Sequence, residues 1–282
     1  MVYNASLTII VAFLSNIVVN AQTDSFQLSR KIHPDNTGIQ SNEYSVTATR
    51  GWDGIDGFAG SQGTSGNTSD KGYNGSNGTA AISGKPGESG HYLKVFVNFG
   101  FDSASSSKKI LLRVENKTKG EQVMLKGDAA HIFSIVSEGG HGGNGGDGGD
   151  GGNGGSGGNG SPINVNPHDT KDGKKTNTLS PGGDGGDGGN GGDGGNGGIG
   201  GNGGVIEIYY TAAAKPYLKN IKAACLAGKG GKAGAGGKAG NKGLGGLGIP
   251  RGGEGNPGNP GTDGFEGNDG DPGTITFHEK NQ

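Results

Sequence analysis

The chain is short of the residues that usually hold a secreted domain or an enzyme together. It has a single cysteine in 282 residues, which excludes a framework of internal disulfides. Hydrophobic residues make up 28% of the sequence and aromatic residues 6%, so one conventional core is not expected to organise the whole chain. A large barrel or a doubly wound enzyme is therefore not expected.

The sequence patterns of catalysis and cofactor binding are also missing. The chain has no G-x-S-x-G nucleophile elbow, no P-loop, no HExxH and no paired Cys/His ligand set. Its G-x-G-x-x-G matches lie inside glycine repeats and not at one strand-to-helix turn, so they carry no weight. We therefore expect no enzymatic activity and no cofactor.

The net charge is small, but the charges are segregated along the chain. The formal net charge is −2, which does not favour nucleic acid as a partner. Residues 212–251 contain basic side chains and no acid, whereas residues 252–273 contain acids and no base. Two adjacent segments of opposite sign favour pairing with each other over binding of a polyanion.

The first 21 residues have the features of a signal peptide. An apolar run from Leu7 to Val19 precedes a small-residue exit, and the pattern fits cleavage before Gln22. The run is shorter than the ~20 residues that span a bilayer, and no later segment is apolar enough. We expect a secreted, extracellular protein with no membrane span.

Two kinds of modification site follow from that location. Four sequons are candidates for N-glycosylation, namely Asn67, Asn74, Asn77 and Asn116. Cys225 has two open interpretations. Its apolar flanks, AACLA, favour a buried side chain on a strand, while an unpaired thiol in an oxidising compartment would form an interchain disulfide.

Glycine is abundant, at 68 residues, and it recurs with a period of three. Glycines from 51 to 90 keep one phase, broken only at Ser69 and Ala81. Residues 139–160 and 182–204 have two glycines in each triplet, and residues 228–246 and 252–273 continue the period. Three residues per turn is the geometry of polyproline II, in which glycines form a bare face that another backbone can approach.

The number and the spacing of the glycines predict which tracts lie next to each other. A Gly-Gly-X tract has two bare faces, so we expect 139–160 and 182–204 to have neighbours on two sides and to pair antiparallel with each other. We expect 228–246 and 252–273 to form a second pair, held by opposite charge. Disorder is the alternative for a glycine-rich polar sequence, and collagen and the calcium-binding β-roll fit less well.

Between the tracts lie segments that are β-branched or aromatic and partly alternating, which predicts strands. They include Ile110 to Glu115, Val205 to Thr211 and Tyr217 to Ala227, and no segment predicts an α-helix. The predicted fold class is a polyproline II helical bundle of Gly-X-Y and Gly-Gly-X rods, combined with a small antiparallel β module. The predicted organisation is a signal peptide (1–21), an N-terminal segment with a Gly-X-Y tract (22–90), a β-rich module (91–138), a rod hairpin (139–204) with an exposed loop (161–180), a β segment (205–227), and a Gly-X-Y rod hairpin with a terminal strand (228–282).

Tracts such as GGHGGNGGDGG and GNPGNPG resemble the Gly-rich antifreeze proteins of springtails and the Gly-rich tips of phage adhesins, both bundles of polyproline II rods. The resemblance covers the triplet tracts only, and it implies an architecture more than an activity. The chain departs from the springtail pattern in its single cysteine, its long β segments and its charged X positions. These departures argue against ice binding.

Side chains at the X positions offer two candidate sites. One rod cannot chelate calcium, because carboxylates three residues apart lie ~9.3 Å apart in polyproline II and calcium needs oxygens at ~2.3–2.6 Å. Carboxylates of adjacent rods would attract cations or mineral weakly, or would simply be hydrated. Trp52 and Phe58 would form a ligand-stacking surface or seal the edge of a core. The acidic candidates are Asp147, Asp150, Asp184, Asp187 and Asp193.

The sequence favours three functions, in this order. The first is a secreted, non-enzymatic structural or extracellular matrix protein with a rigid glycine-rich scaffold, whose partners are copies of itself or matrix components. The second is ice binding. The third is an adhesin or glycan-binding module that uses the loop 161–180 and the aromatic residues near Trp52.

Overall fold

The computed structural model of the protein describes residues 43–102, 106–164 and 177–280. In this part of the chain the regular elements are ten strands and one 3-10 helix, which covers Ala212–Asn220. The strands are β1 (Glu43–Thr47), β2 (Tyr92–Asp102), β3 (Ser107–Asn116), β4 (Glu121–Gly127), β5 (Phe133–Glu138), β6 (Pro162–Asn164), β7 (Asn177–Leu179), β8 (Val205–Thr211), β9 (Ile221–Leu226) and β10 (Thr274–Lys280).

Eight of these strands form two sheets that share one hydrophobic core. The three-stranded sheet has the order β1-β5-β9 and is parallel throughout, and the five-stranded sheet has the order β10-β8-β2-β3-β4. In the larger sheet β10, β8 and β2 are parallel, and β3 and β4 are added antiparallel. Short strands β6 and β7 pair separately at the base of the predicted loop 161–180.

The core forms because alternate residues of the strands are apolar. In β2, Leu93, Val95 and Val97 are buried, while the residues between them face outward. Strand β3 alternates in the same way, and strands β5 and β8 contribute Phe133 and Ile206, both fully buried. Side chains from both sheets belong to a single cluster, so the two sheets pack face to face.

The predicted fold class, a polyproline II helical bundle with a small antiparallel β module, is wrong. The regular structure of the described residues is β-sheet plus one 3-10 helix, and the chain is a β-rich domain with a mixed sheet and a parallel sheet. The period of three identified positions that lack a side chain. It did not show that the apolar strands, drawn from residues 43 to 280, collect into one two-layered core.

The glycine tracts continue these strands beyond the core. We number them tract 1 (51–66), tract 2 (72–90), tract 3 (139–160), tract 4 (182–204), tract 5 (228–246) and tract 6 (252–273). Strands β1, β5 and β9 lead into tracts 1, 3 and 5, whereas tracts 2, 4 and 6 lead into strands β2, β8 and β10. The two sheets therefore run on as two layers of three tracts.

Backbone hydrogen bonds join all six tracts into one unit, which we call the glycine array. One line of bonds crosses it completely, and a similar line recurs every third residue. The bonds of this line run from Lys85 N–H to Trp52 O (2.8 Å), Gly143 N–H to Lys85 O (2.9 Å), Gly198 N–H to Gly143 O (2.7 Å), Gly231 N–H to Gly198 O (2.8 Å) and Gly267 N–H to Gly231 O (2.9 Å).

Tracts 3 and 4 lie in the middle of the two layers and are bonded to each other in antiparallel direction, as expected. Each bonds to four other tracts, whereas tracts 1 and 6 each bond to two. The expectation that the Gly-Gly-X tracts have neighbours on two sides, one at each bare face, is confirmed. Two glycines per triplet are needed in tracts 3 and 4, because a Cβ added at either glycine would collide with the backbone of a neighbouring tract.

The candidate binding surfaces

Most side chains at the X positions of tracts 3 and 4 accept hydrogen bonds from the backbone of neighbouring tracts. In most triplets of the neighbouring tract 5 or 6, the N–H of one residue donates to a short side-chain oxygen of tract 3 or 4. In tract 3, for example, Asn144 Oδ1 accepts from Lys232 N–H at 3.0 Å and Asn153 Oδ1 from Asn241 N–H at 2.8 Å. In tract 4, Asn190 Oδ1 accepts from Asn259 N–H at 2.8 Å. This explains why Asn and Asp dominate these positions.

The five acidic candidates take part in the same pattern. Their Oδ1 atoms each accept one backbone N–H at 2.7 to 2.8 Å from tract 5 or tract 6. The pairs are Asp147 with Ala235, Asp150 with Lys238, Asp184 with Gly253, Asp187 with Asn256, and Asp193 with Thr262. Among the described residues no group of three or more His, Cys, Asp or Glu side chains is arranged to hold a metal ion. The weak attraction of cations stays a prediction.

Asp193 makes this pattern testable by pH. The carboxylate of Asp193 accepts hydrogen bonds from the backbone N–H and the hydroxyl of Thr262. These two bonds, the one from the N–H first, lower the pKa of Asp193 below its ordinary value of 3.8. A lowered pKa in the folded state means that the carboxylate contributes stability above pH 3.8, and that this contribution is lost as the pH falls through the lowered value.

We therefore expect Asp193→Ala to lower the melting temperature at pH 7 and Asp193→Asn to lower it less, because an amide oxygen still accepts from Thr262. The gap between the melting temperatures of the wild type and Asp193→Asn should close as the pH is lowered below about 4, since only the wild type has a group at residue 193 that titrates. Thermal melts followed by circular dichroism from pH 7 to pH 2 measure both effects. A gap that stays constant over this range would contradict the assignment.

The edge of the array formed by tracts 1 and 2 carries mainly apolar and hydroxyl side chains. Their X residues pair across the edge through backbone bonds, such as Ile82 N–H to Ile55 O at 2.8 Å. Because the pairing recurs every third residue, the X side chains line up on one side of the array. We call this surface the aromatic edge, and it consists of Trp52, Ile55, Phe58, Ser61 and Thr64 from tract 1 and Tyr73, Ser76, Thr79, Ile82 and Lys85 from tract 2.

Large apolar side chains stand exposed along the aromatic edge. Trp52 is 69% exposed, Phe58 78% and Tyr73 68%, and neither Trp52 nor Phe58 belongs to the core cluster. The hydroxyls of the edge are partly occupied, because Thr79 Oγ1 accepts from Phe58 N–H at 2.7 Å and Ser76 Oγ from Ser61 N–H at 2.7 Å. Of the two roles considered for Trp52 and Phe58, the structure favours the open surface over the sealed core.

The opposite edge, formed by tracts 5 and 6, is charged. Lys229 pairs with Asp269 at 2.8 Å and Lys242 with Glu254 at 2.5 Å, so the predicted pairing of the basic and acidic segments is confirmed. The lysine of the first pair lowers the pKa of Asp269. These pairs are exposed, and such pairs typically fix register more than they add stability.

The structure also places the modification candidates. Asn67, Asn74 and Asn77 lie exposed on or between tracts 1 and 2. Asn116 is only 1% exposed, and its Nδ2 lies within hydrogen-bonding distance of the Tyr44 hydroxyl and of His91 Nδ1. A glycan on that nitrogen would displace both contacts, so Asn116 is the least suitable of the four.

Cys225 lies on β9 and is buried, which confirms the strand interpretation. Burial raises the pKa of its thiol, and the thiol lies 3.4 Å from the carbonyl oxygen of Thr274. The interchain disulfide stays a prediction, and its formation requires local opening of this end of the sheet.

Sequence reasoning missed one group of residues on the outer face of the five-stranded sheet. The register places His278, Tyr209, Phe96, Arg113 and Met124 side by side across all five strands. Alternation in the segment YLKVFVN was the available signal, because burial of Val95 and Val97 requires Phe96 to point outward.

Two other predictions lie mainly outside the described residues, namely the signal peptide 1–21 and most of the loop 161–180. No helix in the described part of the chain is both long and apolar enough to cross a membrane. No family model matches the chain, and no match was found among curated proteins or solved structures.

Proposed function

We propose that this chain is a secreted, non-enzymatic structural protein of the extracellular matrix that holds an extended polysaccharide along the aromatic edge. The observation that supports this most strongly is the row of exposed Trp52, Phe58 and Tyr73 side chains on a hydrogen-bonded backbone. The signal-peptide pattern of residues 1–21 and the three exposed sequons support an extracellular location.

The spacing of the row suits a long, repeating ligand. An extended chain advances about 3.3 Å per residue, so consecutive X residues lie about 10 Å apart and Trp52 and Phe58 about 20 Å apart. Tyr73 pairs with Thr64, which continues the line by the same interval. A polymer of sugar rings offers apolar ring faces at regular intervals, and aromatic side chains provide large, rigid contacts for them.

Rigidity of the array favours binding of this kind. The backbone of both tracts is fixed by hydrogen bonds in every triplet, so no backbone ordering is needed when a ligand arrives. The backbone part of the cost of immobilising a flexible surface is thus met on folding. A scaffold with a fixed row of contacts is what a matrix protein needs to hold a polymer in place.

The proposal is tested by co-sedimentation of the full chain with insoluble cellulose and chitin. We expect the triple variant Trp52→Ala, Phe58→Ala and Tyr73→Ala to bind at least about tenfold more weakly, because each aromatic contact contributes ~0.5–1.5 kcal/mol. Phe265→Ala is the matched control, since Phe265 is also 78% exposed but lies on tract 6. Unchanged circular dichroism shows that the variants fold.

Trp52 is the single tryptophan of the chain, so its fluorescence reports on this edge alone. A blue shift of its emission with a soluble fragment of the bound polysaccharide supports the proposal. Absence of binding to both polymers, or binding that leaves the emission of Trp52 unchanged, overturns it.

Ice binding remains a second candidate because of one observation. Between the aromatic residues, the edge carries a regular set of methyl and hydroxyl groups on Ile55, Ser61, Ser76, Thr79 and Ile82. A flat, regular surface of weakly hydrated groups is what adsorption to ice requires. Thermal hysteresis in the wild type that is lost in Ile82→Lys would favour this function, and its absence in the wild type removes it.

A further inference from the structure

The outer face of the five-stranded sheet has a row of stacked rings with two cationic side chains against it. The rings of Phe96 and Tyr209 are 5.3 Å apart and nearly parallel, and the rings of Tyr209 and His278 are 4.9 Å apart. The guanidinium of Arg113 lies 4.3 Å from the Phe96 centroid and closes one end of the row. Lys280 Nζ lies 4.6 Å from the same centroid and 5.1 Å from that of Tyr209.

A shallow pocket of about 370 Å³ opens beside this row. Its lining includes Phe96, Arg113, Met124, Tyr209 and Lys280, and two of its lining residues are cations while none is an acid. Both cations lie close to one ring, Phe96, so they are no farther apart than the sum of their distances to its centroid. Both cations line the same pocket, so each would attract an oxyanion bound in it.

Two acidic side chains near the row already have partners, and one of them, Glu115, pairs with Arg113 of the pocket. Glu207 accepts from the hydroxyls of Tyr92 at 2.7 Å and Tyr209 at 2.8 Å, and it pairs with Lys94 at 3.5 Å. Glu115 pairs with Lys117 at 2.5 Å and with Arg113 at 3.3 Å. Lys280 has no carboxylate partner among the ion pairs of the described residues, so positive charge remains at the pocket.

Stacking of the rings also limits what the pocket accepts. Because Phe96 and Tyr209 cover each other's faces, they do not provide an open ring face on which a nucleic-acid base could stack. The two cations that line the pocket favour an anion instead. The exposed residues Asn98 and Met124 add a polar and an apolar contact at the rim.

We infer that this pocket binds the oxyanion group of an acidic polysaccharide through Arg113 and Lys280. The cations recognise the carboxylate or sulfate, and the rim contacts the sugar ring that carries it. This site lies on the sheet and not on the glycine array, so it is independent of the aromatic edge.

The test uses isothermal titration calorimetry of the full chain with four probes: sulfated dextran, polygalacturonate, uncharged dextran and single-stranded DNA. We expect binding of sulfated dextran, polygalacturonate or both, no binding of uncharged dextran, and an affinity that falls as salt is added. Comparison of the first two probes distinguishes a sulfate from a carboxylate as the recognised group.

Two variants locate the site. Arg113→Gln with Lys280→Gln should weaken binding at least tenfold, whereas Lys232→Gln with Lys238→Gln, which removes the same charge from tract 5, should leave it within twofold. Met124→Glu keeps every cation but adds a negative charge at the rim, where Met124 is 58% exposed, and should also weaken binding at least tenfold. Equal loss in the tract 5 control, no loss in either site variant, or tighter binding of single-stranded DNA than of both acidic polymers overturns the inference.

Discussion

Replacing Gly149 with alanine is expected to destabilise the folded protein by about 3 kcal/mol or more. Gly149 is buried in tract 3, and an added Cβ would come closer than 3.0 Å to the carbonyl carbon and oxygen of Phe58 in tract 1. These are backbone atoms that cannot rotate away. Overpacking of a tight interior typically costs ~1–3 kcal/mol, and separating the tracts also strains hydrogen bonds of ~1 kcal/mol each.

Hydrogen bonds of Gly149 show what would be strained. Its N–H donates to Thr79 O at 3.0 Å, and its carbonyl accepts from Gly192 N–H at 2.8 Å, so one residue joins three tracts. Urea unfolding followed by circular dichroism measures the loss. Gly100→Ala is the control, because an added Cβ at Gly100 meets nothing within 4 Å, and we expect a change within about 0.5 kcal/mol. Equal stability of the two variants would show that the tracts are not close-packed.

The second large effect is expected from Phe133→Ala in strand β5. Phe133 is fully buried in the core that the two sheets share. Truncation of a buried phenylalanine typically costs ~3–5 kcal/mol, from lost burial and from the cavity that remains. Phe101→Ala is the matched control, since Phe101 is 66% exposed and should tolerate the same change with little loss.

Phe133→Ala also tests how the sheets and the glycine array depend on each other. Because each tract continues a strand, loss of the core should release the array as well, and amide protons of tracts 3 and 4 should lose protection together with those of β5. Hydrogen exchange measured by NMR follows both regions. Tract amides that stay protected while the strands exchange would mean that the array folds independently of the core.

Much of the local structure could be predicted, because it depends on local patterns. The segments Ile110 to Glu115 and Val205 to Thr211 were predicted as strands from alternation, and β3 and β8 lie there. The segment Tyr217 to Ala227 was partly wrong, since its first residues belong to the 3-10 helix and only the rest forms β9. Apolar alternation records burial, but it does not show where a strand begins.

The fold class and the parallel order of the strands could not be predicted, since they depend on long-range pairing. Glycine spacing shows where a backbone can approach, but not which backbone approaches. Strands β1 and β5, for example, pair in parallel although about 90 residues separate Val46 from its partner Ser137. A parallel connection of this kind leaves no turn signature in the sequence.

The role of the Asn and Asp side chains was missed for a similar reason. Asp147 accepts from a residue 88 positions later, and Asp187 from one 69 positions later. Within a single tract such side chains look like solubilising groups. The same separation recurs from one triplet to the next, and this constancy across two tracts is the signal that would have identified the pattern.

The constant sequence separation between hydrogen-bonded partners limits how the glycine array can change in length. Each bond between tracts joins residues of one triplet to those of another in strict register, so a triplet inserted into one tract alone would displace every later partner in it. Growth without loss of pairing requires one new triplet in all six tracts at once, which adds about 10 Å to the long dimension. The length of the glycine array can therefore change only by one triplet in every tract at a time. Homologous or designed versions should differ in length by whole multiples of that step.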